Sequence, residues 1–449
     1  MEKKWLRPIK MFWLKKIKEK AENFDYFELG NSFFLYYLLI FGGLPLAVFL
    51  NLPSKHIEYF IGQNISVING WVFIYLLLGI LFFILGYRSN LFSSFAKKFL
   101  LLRRLASFFK REWDSKKVFL VFGGIFILNL FIKGLRIFGG GYFHLQKSQA
   151  FTSSSFYSLI GLMDWLGPIA LAIAFAYYFY LLKINDSRYI FWRLTAWLVF
   201  VFEFIFGFLS GGKFYAIVPI IIYLIIRHYV YKRSLIRVVI AGLLIFFVLM
   251  PALNFYNKPL IFFHSYTAEN KIKFKNLEQF AIDSSLGRVN QSKSVFNIFE
   301  KTDKFLYGKS LLNFFISLGP PRFIWKDKPI INASGNEFGR AYGIIKSDNY
   351  QTTVGPTIIG DWYMNFGVWG IIFGMLFFGS LYRFIFDLFI RKSDNSLSGA
   401  VIYAIFWIQI IKGTEDWIAP VWAGLVKLFV ILVLIHFLLT GLGKKENIS

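Results

Sequence analysis

Two carboxylates and a scatter of cations are the residues of this chain best suited to chemistry. Asp361 stands beside Trp362 and Tyr363 at the mouth of a long apolar run. A carboxylate among apolar rings gains proton affinity and can serve as a general base. The competing reading makes it the N-cap of the helix that follows. Glu415, next to Asp416, lies in a short polar turn between two other apolar runs and is an alternative base. His264 is a third candidate, although a lone His is more often structural. The cations are Arg288, Arg322, Lys328 and Arg340 in one long polar passage, with Lys213 following Gly211 and Gly212 at the edge of an apolar run. Arg forks onto phosphate oxygens and Lys offers a compact charge, so this set suits a phosphate-bearing lipid. Surface ion pairing, or for Lys213 simple snorkelling, is the plainer alternative. Arg322 is the best restrained of the set, with Pro320 and Pro321 before it and Trp325 after it.

The elements that must position these residues are membrane helices. Of 449 residues, 57% are hydrophobic and 21% aromatic, which excludes an ordinary soluble domain. Repeated apolar runs of about 18–22 residues predict an all-α, polytopic helical bundle. Ten spans are expected, at about 33–50, 67–86, 118–133, 159–182, 194–209, 214–226, 238–253, 366–386, 399–411 and 420–439. Both termini are then cytoplasmic. Lys and Arg number 29 in the cytoplasmic segments of this plan and 6 in its short outer loops, an asymmetry large enough to fix orientation. It also accounts for the net charge of +25 without a nucleic-acid partner, since cytoplasmic cations face anionic lipid.

Five regions follow. Residues 1–30 form a basic cytoplasmic N-terminus, with an amphipathic surface helix at 5–17 and no cleaved signal peptide. Residues 31–253 hold spans one to seven, and 254–355 form a large extracytoplasmic loop. Spans eight to ten occupy 356–440, ahead of a cytoplasmic tail at 441–449. Gly360–Asn365 is expected as the polar approach to span eight, and a re-entrant segment has room near 140–160 or 310–325. The loop carries 14 Lys or Arg against 8 Asp or Glu. A passage this long is usually functional or disordered; Tyr307, Phe314, Phe315 and Trp325 argue against disorder.

Two passages carry a family resemblance. Pro321-Arg-Phe-Ile-Trp-Lys-Asp-Lys-Pro329 resembles a "PR-x-x-W-x-D-K-P" passage of oligosaccharide repeat-unit polymerases, the Wzy-type O-antigen polymerases. Gly360-Asp-Trp-Tyr-Met-Asn-Phe-Gly-Val-Trp-Gly370 is similar to the stretch that leads into the next span in that family. Arg288, Tyr307-Gly308 and the Leu-Ser-Gly-Gly-Lys213 turn add to the likeness. The resemblance implies a bacterial inner-membrane enzyme of O-antigen or capsule synthesis. It would transfer a growing glycan from undecaprenyl pyrophosphate to a hydroxyl of the next lipid-linked unit, at the outer face. Arg288, Arg322 and Lys213 would hold the pyrophosphate, and Asp361 or Glu415 would orient or deprotonate the acceptor. Trp325, Trp362 and Tyr363 would stack on sugar rings or seat the loop at the interface. Partners would be membrane lipid and, in the same pathway, a chain-length regulator and a flippase.

No cofactor is expected. The chain lacks an Asp-x-Asp pair, its nearest approach being Glu112-Trp-Asp114, and it has no P-loop, no His-Glu-x-x-His and no Cys. Arg and Lys alone can neutralise a pyrophosphate leaving group. A ligase that moves finished polymer to a lipid core shares the donor site. A flippase of the same lipid is the rival from another class; it calls for charge inside the spans, where Glu203 and Lys427 are the clearest examples.

Overall fold

The computed structural model describes residues 24–49, 70–89, 91–92, 100–138, 163–210, 212–257, 291–320, 324–329, 335–345, 347 and 353–440. The described chain is helical. In order, its helices are α1 Leu29–Phe49, α2 Gly70–Ser89, α3 Leu100–Phe109, α4 Ser115–Phe138, α5 Leu166–Lys183, α6 Tyr189–Leu209 and α7 Lys213–Ile226. Then come α8 Leu235–Leu244, α9 Met250–Asn257, α10 Ser292–Lys301, α11 Lys309–Leu318, α12 Gly335–Ala341, α13 Thr357–Phe386, α14 Leu397–Gly413 and α15 Ile418–Thr440. Single π-helical turns prolong α7 and α13 and join α8 to α9. Among the described residues, eight stretches are long and apolar enough to cross a membrane: α2, α4, α5, α6, α7, α8 with α9, α13 and α15. Their exteriors are apolar, with Leu77, Leu120, Leu194 and Ile236 each more than 60% exposed. A helix apolar on every side fits a lipid surround.

The centre of the bundle is α5 and α14. Both combine small, aliphatic and aromatic residues, and both are buried along most of their length. The ends of the bundle are polar. At one end Arg383 of α13 joins Glu28 (3.3 Å) and Asp387 (3.1 Å). At the other, α10, α11 and α12 from the long passage pack over the starts of α13 and α15. We call this the loop end.

Two local features depart from the sequence expectations, and a third falls where they left room. Residues 118–133 were expected as a short span, but α4 runs from Ser115 to Phe138, so Lys133 and Arg136 are helical and not part of a loop. Gly360–Asn365 is not a polar approach: helix begins at Thr357 and breaks at Phe366 and Gly367. Gly367 has φ 61°, a conformation that favours glycine. The break is a reversal. Trp362 and Phe378 would lie about 24 Å apart along a straight helix, yet their ring centroids are 5.8 Å apart. Residues 357–365 therefore form a half-helix folded back on the rest of α13. The third feature is α11, in the region where a re-entrant segment has room. Its first turn meets the start of α15 through Asp361, while the Ser317 carbonyl near its end accepts from Lys427. Since Lys427 is nine residues into α15, α11 reaches about 13 Å along it.

Candidate functional site

The loop end holds two polar assemblies. The first is a seam around the half-helix. Its C-terminal carbonyls would be orphans. Leu306 and Tyr307 donate their amides to the Met364 and Asn365 carbonyls at 2.8 and 3.0 Å, and Gly308 donates to Asn365 Oδ1 at 3.0 Å. Three consecutive amides thus clamp one helix end. The strain of this clamp is visible in Tyr307, which has φ 48°. Tyr307-Gly308 and Gly360–Gly370, distant in sequence, are partners in space.

Asp361 lies inside the seam and is fully buried. Its carboxylate accepts from Ser310 Oγ (2.6 Å), Asn365 Nδ2 (3.1 Å) and the Ile418 amide (3.0 Å). Asp361 does cap a helix, though not the one expected: it caps the first amide of α15 and pins α11 to it. Three donors and full burial suit a carboxylate that anchors the surrounding segments. Glu415, also buried, accepts from Tyr36 Oη and from Gln291 Nε2 (3.2 Å). It joins α1 and α10 to the turn ahead of α15.

The aromatic candidates are engaged in packing. Trp362 covers the reversal, and Tyr363 lies 4.2 Å from Phe299 and 5.9 Å from Tyr75, centroid to centroid. Trp325 sits over Gly319, and Lys328 Nζ donates to the Gly319 and Pro320 carbonyls at 3.0 and 3.2 Å. Arg340 belongs to α12, which packs through Phe338 on Trp417 (5.1 Å). Arg288, Arg322 and His264 lie outside the described residues, as does the stretch 5–17 expected as an amphipathic helix.

The second assembly is a cavity of ≈ 50 Å³ among α4, α5, α6 and α7. Lys133, Arg136, Asp164, Glu203, Ser210 and Tyr215 line it, with Pro168, Leu171 and Pro219 as apolar wall. Lys133 is ion-paired with Glu203, which also accepts from Asn129 Nδ2 at 2.8 Å. Arg136 Nη2 meets Asp164 at 2.6 Å. Asn129, Lys133 and Arg136 fall on one face of α4 by helical spacing. Gly167 lets the Glu203 carboxylate approach α5, since a Cβ there would stand 2.4 Å from it. Asp164 precedes α5. Burial pushes its carboxyl up, and Arg136 opposes the shift, leaving it at about 6. Lys213 begins α7 directly beyond the Ser210 turn, and Lys412 of α14 lies 4.7 Å from the neighbouring Phe214 ring. Cavity and seam therefore share one end of the bundle. Two cations paired with two carboxylates around a water-sized space can move a proton, and the cations can meet an anion once a carboxylate takes up a proton. Among the described residues no group of three or more His, Asp or Glu is placed to hold a metal ion.

This architecture defines a multi-pass helical membrane protein. The chain belongs to the family described as Domain of unknown function (DUF8712), whose model matches residues 149–441. Asp164, Glu203, Asp361 and Glu415 fall inside that range; Lys133 and Arg136 precede it. No curated protein and no solved structure matches the chain.

Proposed function

We propose that this protein polymerises oligosaccharide repeat units carried on undecaprenyl pyrophosphate, at the outer face of a bacterial inner membrane. α1 and α14, added to the eight longer stretches, complete ten crossings, and the loop end faces outward. The observation that carries the reading is the cavity, where cations and carboxylates meet within an apolar wall at the end where the long passage packs. Lys133 and Arg136, with Lys213 at the rim, would neutralise the pyrophosphate as its bond to the sugar breaks. Glu203 or Asp164 would take the proton from the acceptor hydroxyl as the new glycosidic bond forms. Charge neutralised at the leaving group lowers the barrier when it strengthens toward the transition state. The similarity of 321–329 and 360–370 to repeat-unit polymerases supports the same reading.

One observation favours a second reading. Glu203 lies six residues inside the end of α6, about 9 Å from it, and its pair with Lys133 is the kind of intramembrane charge a transporter of the same lipid would use. Glycan length in cells lacking the protein separates the two. Surface glycan of a single repeat supports the polymerase, and loss of all surface glycan supports transport. An unchanged polymer ladder would overturn both.

A further inference from the structure

The end of the bundle opposite the cavity carries a groove of ≈ 500 Å³ between α4 and α6, floored by Tyr177 of α5. It has two zones. Its polar rim is Ser115, Lys116, Tyr177 and Arg188. Arg188 Nη1 donates to Ser115 Oγ at 3.1 Å, and that hydroxyl lies 2.6 Å from the Tyr177 hydroxyl. Asp186 accepts from Arg188 Nε and Nη2 at 3.0 and 2.7 Å, and this pairing holds the Asp186 carboxyl down at about 2. The guanidinium is thus paired on one side with Asp186 and on the other with Ser115. These contacts use three of its five N–H donors. Lys116 is exposed beside it. Below the rim the wall is apolar, formed by Phe119, Leu120, Phe191 and Trp192; the first three are 56%, 70% and 52% exposed.

The charged groups lining the groove are Lys116, at the start of α4, and Arg188, just ahead of α6. Asp114 caps the Lys116 and Lys117 amides, and Asp186 pairs with Arg188. A cationic, hydroxyl-bearing rim above an exposed aromatic and aliphatic cleft matches a molecule with an anionic head and a hydrocarbon tail.

We propose that this groove binds one anionic phospholipid of the surrounding leaflet, its phosphodiester at Lys116 and Arg188 and one acyl chain along Phe119, Leu120 and Phe191. The site is remote from the cavity and does not depend on the polymerase reading. A free phosphate would use only the rim and leave the apolar wall bare, whereas the lipid uses both zones.

Native mass spectrometry of the detergent-purified full chain tests this with dioleoyl phosphatidylglycerol, dioleoyl phosphatidylcholine and inorganic phosphate as probes. One phosphatidylglycerol should be retained per chain in preference to phosphatidylcholine. Lys116→Gln should weaken it about 5-fold, as for one basic residue at a lipid surface, and the Lys116→Gln/Arg188→Gln double variant further, with phosphatidylcholine unaffected. Leu120→Asn, on an exposed position with the rim intact, should also weaken the lipid. Equal retention of the two lipids, or full retention of phosphatidylglycerol by Lys116→Gln, would overturn the proposal. So would displacement of the lipid by inorganic phosphate with no effect of Leu120→Asn, which would mark a free-anion site.

Discussion

Lys427, nine residues inside α15, donates from Nζ to the Ser317 carbonyl at 2.5 Å. Ser317 is next to the last residue of α11, so the ammonium meets the carbonyl end of a helix dipole, where a cation is favoured. An unpaired Lys at that depth in an apolar helix is costly, and the carbonyl end of α11 supplies the partner. Each group explains the other. Lys427→Met should release α11 while leaving α15 in place. The chain has no Cys, so a single Cys introduced at Phe315 reports on α11 without background. Its labelling by a membrane-impermeant maleimide should rise several-fold with Lys427→Met and little with Lys427→Arg. Unchanged labelling would mean that the remaining contacts hold α11 unaided.

Asp361 offers a separate test of anchor against base. Asp361→Ala leaves the Ser310 hydroxyl and the Ile418 amide short of an acceptor in a buried place, while the Asn365 amide keeps the Asp361 carbonyl and Ser310 Oγ. Each such orphan costs about 1–3 kcal/mol. Asp361→Ala should therefore lower the thermal midpoint and the yield together with any glycan product. Asp361→Asn keeps one acceptor oxygen and should fall between. An Asp361→Asn protein of unchanged midpoint and abolished product would return Asp361 to the role of base.

How much of this was legible in the sequence differs from residue to residue. Apolar run length placed the membrane helices, because that signal is the physical requirement itself. It misplaced the end of α4, since hydropathy stops at the first cation whereas the helix does not. The spacing of Asn129, Lys133 and Arg136, at i, i+4 and i+7, was the available signal for a polar helical face. Asp164 and Glu203 are far apart in sequence, and only the packing of α5 on α6 reveals their common cavity. The polar letters of Gly360–Asn365 gave no sign of a half-helix, because its donors and acceptors are satisfied by Ser310 and by the amides of Leu306–Gly308. The six apolar residues among the ten of α11 are too few to register as a span, although the sequence leaves room for a re-entrant segment at 310–325.

The pair of Lys133 and Glu203 allows stability to be separated from chemistry. Lys133→Ala leaves Glu203 buried with Asn129 as its remaining described partner. Breaking a buried pair by one member costs about 3–5 kcal/mol, while removing both members costs much less. Lys133→Ala should therefore be the less stable protein, and Lys133→Ala/Glu203→Ala should recover most of the loss in thermal midpoint. Glycan polymer should be absent from both. A double variant that recovers polymer along with stability would reduce the pair to a structural pin.

The last prediction concerns pH. The Asp164 carboxyl sits at about 6 in the folded protein, against 3.8 for an ordinary Asp. Between those values the folded state holds a proton that the unfolded state does not, so stability falls as pH rises through this window. The penalty is complete above about 6 and is relieved as pH falls toward 3.8. The same proton controls the cavity. Above pH 6 the charges of Lys133, Arg136, Asp164 and Glu203 cancel, whereas below it Asp164 is neutral and the cavity carries one positive charge. Anion affinity should then rise as pH drops from 8 to 5. A pyrophosphate-bearing lipid analogue titrated over that range should bind several-fold tighter at the acid end. Asp164→Asn should bind tightly throughout and flatten the profile, and its thermal midpoint should exceed the parent's at pH 8 but not at pH 4. A pH profile that Asp164→Asn leaves unaltered would place the titrating group elsewhere and remove the cavity from anion binding.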